Sequence, residues 1–332
     1  MLVDVLDKLL GNREKSLALM RLISLEGYWK EVNLSQINTQ EDFLLFVNAI
    51  GQTQWFKGHD RTLFPTNPSQ VDEVKKAGYE IFTQFGLFDS YDAPSGIMPH
   101  FSLVLGASAS HMQARLKLLV TDLEQGIKPK LHTVYGLGSN RTLAVSVCDS
   151  KEEQFKREGI AQTEMELLSY LTRQSLMKFP ELQYLVCNAG GAADRRQKDC
   201  ATTISTAGAF KSIVQVGEGT ERPCIVFTYS TPPFAERQRL DVQEMLGDEY
   251  RVIVRAERGS CEEFFQYERS VAICCGEVAR LIYGNLGKMK KISPELEQFA
   301  VPLTKLEIDE LDELRVASIQ PEMLRESGFK LS

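Results

Sequence analysis

Leu103-Val-Leu-Gly-Ala-Ser-Ala-Ser-His-Met-Gln-Ala-Arg115 carries the decisive reading. An apolar run, Phe101 to Leu105, ends in Gly106 and the small residues Ala107 and Ser108. Ser110-His-Met-Gln113 has the spacing of a capping box, and Met112, Leu116, Leu119 and Leu123 then recur on one helical face. A strand that turns through small residues into a helix is the opening unit of a parallel α/β sheet. Backbone N–H groups at the start of such a helix can hold an anion. Gly106, Ala107 and Ser108 are therefore candidate ligand contacts, because a longer side chain would keep the ligand off the backbone. On this reading Gly106→Val disrupts ligand binding more than folding. The stretch is neither a GxGxxG fingerprint nor a P-loop, and a plain tight βα turn fits it as well.

The same rhythm continues outward. Short β-type runs at Leu131 to Tyr135, Tyr184 to Cys187, Cys224 to Tyr229 and Tyr250 to Val254 alternate with amphipathic stretches. One of these opens at Thr163-Glu-Met-Glu166, a capping box, and continues through Leu168, Leu171 and Leu176. The alternation predicts an α/β fold: a Rossmann-like, mostly parallel sheet with helices on both faces and a ligand cleft at the carboxyl ends of the strands. Flanking it are helical additions. Val3, Leu6, Leu9 and Leu10, then Leu17, Met20, Leu22 and Ile23, then Asp42 to Ile50 and Gln70 to Phe85 read as helices. Phe64 to Pro68 and Asp89 to Pro99 read as loops. The expected organisation is a helical region over 1–95, an α/β ligand-binding core over 96–262 and a helical region over 263–332. In the last region Phe264 to Tyr283 is apolar with Cys274 and Cys275 buried, and the acidic run Glu307 to Glu313 is a solvated helix face.

The 332 residues are 43% hydrophobic and 25% charged with a net charge of −7, the composition of a soluble globular protein. That charge lacks the basic footprint of a nucleic-acid binder. No apolar run approaches the ~20 residues of a membrane span, and acids stand in Met1 to Asp7 where a secretory signal is basic. The expectation is a protein folded in a cytosol, not inserted in a membrane. None of the 7 cysteines stands in a CxxC pair, and none of the 4 histidines pairs at i,i+4, so no zinc site, other metal site or disulfide framework is expected.

Further candidate chemistry lies at the other strand ends. Leu131 to Thr142 carries Gly136, Gly138, Ser139 and Arg141, read as a second glycine turn beside the first. Arg141 suits paired hydrogen bonds to a phosphate or carboxylate, or else a surface salt bridge. Arg115, about a turn into its helix, is the companion candidate for the ligand's anionic group. Asp199 to Thr206 sets Thr202, Thr203 and further hydroxyls at a helix start, more than capping alone needs. Ile225 to Arg237 places Thr228, Ser230 and Arg237 around one crevice. His111 is a candidate acid or base, or an ordinary polar residue at a helix start. Glu164 is a candidate general base whose competing role is in the capping box or the helix dipole. There is no GxSxG elbow, and no cysteine stands in a nucleophile motif.

In this order, Gly106 with Arg115, Gly136 and Gly138, Glu164, Thr202 with Thr203, and Thr228 with Arg237 resemble the YdcF/SanA-like family of α/β proteins over roughly residues 100 to 255. The resemblance implies a Rossmann-like sheet and nucleotide-type ligands, S-adenosylmethionine among them. The chain departs from that pattern: it has no envelope-type anchor, no Asn after the Thr pair, and Ser230-Thr-Pro-Pro233 in place of a His in the last turn. The functional expectation is an enzyme that binds a nucleotide-like or phosphorylated anionic small molecule for transfer or hydrolysis. The alternative is a catalytically degenerate binding or regulatory protein. Such a chain, for example a bacterial effector secreted without a cleaved signal, would engage a protein partner through the helical ends or acidic tail.

Overall fold

Residues 1–25, 34–55, 78, 80–143, 150–190, 202–214, 222–259, 270–291 and 299–319 are described by the computed structural model. The chain divides into two units: residues 89–259, and residues 1–88 together with 260–332. The two helical ends, read above as separate regions, thus belong to one unit.

In the helical unit α1 (Leu2–Leu10) buries Leu2, Val3, Val5, Leu6 and Leu9, and stops at Gly11, whose left-handed φ of 66° lets its N–H bond back to Asp7 O. Helix α2 spans Arg13–Leu25, and α3 (Gln40–Ile50) starts on a Thr39/Asp42 capping box. Of the expected Gln70–Phe85 helix, Ile81, Phe82 and Phe85 are buried, and the part before residue 78 lies outside the described residues.

The second unit is the predicted sheet. β1 (Phe101–Leu105) leads into α4 (Ala109–Glu124), and β2 (Thr133–Gly138) into α5 (Ser150–Arg157) and α6 (Glu164–Leu176). β3 (Gln183–Asn188) precedes α7 (Thr203–Ile213), and β4 (Cys224–Tyr229) passes through α8 (Ala235–Leu246) to β5 (Tyr250–Arg255). The strand order is β3-β2-β1-β4-β5, every pair parallel. Val104 lies opposite Gly136 on one side and Tyr229 on the other.

Strand alternation sorts the core. Val104, Val134, Phe227 and Tyr229 meet Met112, Leu116 and Leu119 of α4 and Leu167, Leu168 and Leu171 of α6. Leu103, Leu105, Leu137 and Val226 point the other way, onto Ala207 and Phe210 of α7 and Val242 and Leu246 of α8. Right-handed crossovers require this division: β1→β2→β3 steps out one way with its helices on one face, and the return to β4 and β5 puts α7 and α8 on the other. β1 and β4 are therefore neighbours whose chains leave in opposite directions, the switch point at whose carboxyl ends α/β sheets form a ligand crevice.

Helices α9 (Ser270–Lys291) and α10 (Lys305–Ile319) complete the helical unit. Cys274 and Cys275 are fully buried in α9, as expected. The acidic run differs from its reading as a solvated face. Leu311 and Leu314 are buried, Glu307 caps α10 through Thr304 and accepts from Gln40, and Glu310 accepts the N–H of Leu2.

Candidate functional site

At this switch point lies Arg115. It lies two turns into α4, and because helical side chains slant toward the N-terminus, its guanidinium returns beneath the turn the chain has just made. Nη1 donates to the carbonyls of Leu105 (2.8 Å) and Gly106 (3.0 Å); Nη2 donates to Thr231 Oγ1 (3.1 Å) and Gln238 Oε1 (3.4 Å) across the crevice. Nε has no hydrogen-bond partner although it is buried, and the residue is 1% exposed. Every acceptor is uncharged, and among the described residues no carboxylate lies within ion-pair distance of it. Burial pulls the guanidinium down to about 9, with Glu164 opposing through space and Arg237 adding to the pull. An arginine stays charged at neutral pH, so this depression measures the cost of a buried cation without a counter-ion.

Arg141 is the opposite case. Its Nε donates to Glu164 Oε2 (2.8 Å), Nη2 to Glu152 Oε1 (3.0 Å) and to Ala107 O (3.0 Å), and Ser139 Oγ donates to Glu164 Oε1 (3.1 Å). Burial lowers the Arg141 pKa, but Glu164 and Glu152 outweigh it and hold the group above its ordinary value. Neither sequence reading of Arg141 describes this arrangement: the residue is 3% exposed and its guanidinium is committed to two carboxylates, neither on the surface nor open to a ligand anion. Glu164 is engaged by the same bonds, and the capping box at Thr163 is made by Glu166 instead. The four buried charges sum to zero but are segregated. The surplus carboxylate lies on the β2 side of the β1 turn, and the unpaired cation on the β4 side.

Gly106 separates the two halves. A Cβ there would lie well inside van der Waals contact distance of Glu164 Oε1 and 3.0 Å from Leu137 O. The space that the sequence reading kept for a ligand is thus occupied by a carboxylate. Gly136 and Gly138 are not a turn either: β2 runs through both, and their missing side chains admit the Tyr184 ring at one and the Met165 backbone, 3.3 Å away, at the other.

Ala107 and Ser108 line the half-buried turn. Helix α4 begins at Ala109 with Ser108 as N-cap, not at a Ser110 capping box. The Ser108 hydroxyl makes no capping bond and lies 2.7 Å from His111 Nδ1, while the His111 ring packs edge-on to Phe234 at 5.7 Å between centroids. Across the crevice, Ser230 is buried and bonded to Gln238. Thr228 sits fully buried beside Leu103, below the crevice mouth, with Oγ1 unpartnered. Arg237 pairs with Asp241 and donates to Thr203 Oγ1 (3.4 Å). The hydroxyls at the start of α7 have local roles: Thr202 and Ser205 form a capping box, Thr206 donates to Thr203 O, and Thr203 accepts from Arg237.

Thr231, Gln238 and Glu152 are the site residues that sequence reasoning missed. Nothing in their spacing marks them, since each gains its role from the partner strand or helix that the fold supplies. Among the described residues no group of His, Cys, Asp and Glu could hold a metal ion, and no helix is long and apolar enough to cross a membrane. No family model, curated protein or solved structure matches the chain.

Proposed function

We propose that the crevice between β1 and β4 binds an anionic small molecule, nucleotide-like or phosphorylated, and that the chain is an enzyme of transfer or hydrolysis on that ligand. The observation that carries this reading is Arg115: 99% buried cations are rarely left without a carboxylate, and this one lies under a helix N-terminus at a topological switch point. A phosphate or carboxylate above Ala107 and Ser108 would meet the positive end of α4 and the field of Arg115 together. The segregation of charge orients the ligand, with its anionic group on the β4 side and away from Glu152 and Glu164. S-adenosylmethionine, through its carboxylate, and nucleotides, through phosphate, both fit this polarity.

The test is a thermal-shift and calorimetric screen against inorganic phosphate, adenosine monophosphate and S-adenosylmethionine, with wild type and Arg115→Lys. A ligand at 100 times its Kd stabilises by about 2.7 kcal/mol. The lysine variant keeps the charge but cannot span four acceptors, so affinity should fall at least about tenfold, the loss of one charged hydrogen bond. No stabilisation by any ligand, or equal affinity in the variant, would remove the anion site.

A further inference from the structure

We infer that Ser108 is a nucleophile, with His111 as its base, and that the reaction is acyl transfer from a carboxylic ester. This rests on the anion-site reading above, because the same positive turn must hold the charge that develops on the attacked carbonyl oxygen. Three observations combine. Ser108 occupies the N-cap of a 16-residue helix yet its hydroxyl forgoes the capping bond. It lies instead 2.7 Å from His111 Nδ1, within the distance a nucleophile–base pair needs. Beneath the turn is the Arg115 guanidinium, buried, with Nε unpartnered. The hydroxyl donates when Nδ1 carries no proton, and in that tautomer Nδ1 is the base.

The backbone of Ser108 is extended, φ −67° and ψ 161°, so the hydroxyl is presented without the strain of a nucleophile elbow. In the reaction Ser108 Oγ bonds to the carbonyl carbon while its proton passes to Nδ1. The tetrahedral oxyanion faces the start of α4 above Arg115, which acts as a positioning charge. Collapse breaks the bond to the leaving alkoxide, which takes the proton from His111, leaving an acyl-Ser108. Water then attacks, His111 accepts its proton and returns it to Ser108 Oγ, and the carboxylic acid departs. One ester and one water give one acid and one alcohol, with no change of oxidation state.

The experiment is labelling of the full chain with a fluorophosphonate, with adduct mapping by mass spectrometry, in wild type, Ser108→Ala and His111→Asn. Asparagine places a hydrogen-bonding group near the position of Nδ1 but cannot accept the proton. Expected are one adduct per chain on Ser108, none in Ser108→Ala, and labelling slowed at least about 100-fold in His111→Asn, the contribution of a general base. Inorganic phosphate should slow labelling of wild type by competing for the turn. An adduct elsewhere, no adduct, or a His111→Asn rate within threefold of wild type overturns the assignment. If Ser108→Ala does not fold, the mapped adduct and the His111→Asn rate still decide. Phosphate binding that depends on Arg115 with an unlabelled Ser108 sinks the nucleophile and leaves the anion site standing. A labelled Ser108 in a chain that binds no anion supports the nucleophile and sinks the anion-site reading.

Discussion

At Gly106 one missing methyl holds two charge systems apart. The Glu164 carboxylate rests where a Cβ would project, and it is fixed there by Arg141 and Ser139. An alanine must displace a buried, hydrogen-bonded carboxylate or shift β1 against Leu137 O. Breaking a buried pair costs about 3–5 kcal/mol, so Gly106→Ala should lose roughly 3 kcal/mol of stability in urea denaturation. A midpoint within error of wild type would show that Glu164 moves aside freely. This reverses the expectation that a side chain there harms binding more than folding. A neighbouring signal was legible: Arg115 and Asp122, seven residues apart, fall on the same apolar stripe as Met112 and Leu119. Charges on a buried face need partners, and Asp122 has them in Tyr229 Oη (3.0 Å) and the Arg255 guanidinium (2.6 Å). What the stripe cannot tell is which strand ends supply the acceptors, since that depends on the β1–β4 adjacency.

Elements were legible where periodicity was strong. β1 and β4 match their apolar runs residue for residue, because central strands of a parallel sheet are buried on both faces and read as unbroken hydrophobic stretches. β2 lies two residues later than its apolar run suggests, at Thr133–Gly138: its Gly136 and Gly138 look like a turn from sequence but are sites of close packing. The acidic α10 misled for a different reason. Its run of carboxylates masks Leu311 and Leu314, which are 1% and 3% exposed, while Leu306 is 64% exposed. Leu311→Ala should therefore cost about 2–5 kcal/mol and Leu306→Ala less than about 0.5 kcal/mol, measured by urea denaturation. Deleting residues 304–332 should lower the melting temperature of the helical unit, since Glu310 also holds the Leu2 N–H. Equal and small effects of both alanines would return α10 to the solvated helix that its charge suggested.

For the whole molecule, burial sets how the α/β unit responds to alkaline pH. Among the described residues Tyr91, Tyr135, Tyr184, Tyr229 and Tyr250 are all raised above the ordinary tyrosine value, chiefly by burial. Burial likewise raises Cys224 and pushes the Cys187 thiol up to about 12. All belong to residues 89–259. These groups are neutral in both states at pH 7, so they leave stability untouched there. Above about pH 9 the unfolded chain releases their protons while the native chain keeps them, and stability falls as pH rises, by about 1.4 kcal/mol per pH unit for each group so divided. Between pH 7 and 10.5 the far-UV dichroism transition should move to lower urea as the α/β unit loses stability. A dichroism midpoint that holds steady over that range would mean the buried tyrosines and thiols ionise without unfolding the sheet. The native packing around β2, β3, β4 and β5 would then have to admit charge that its apolar faces give no means of solvating.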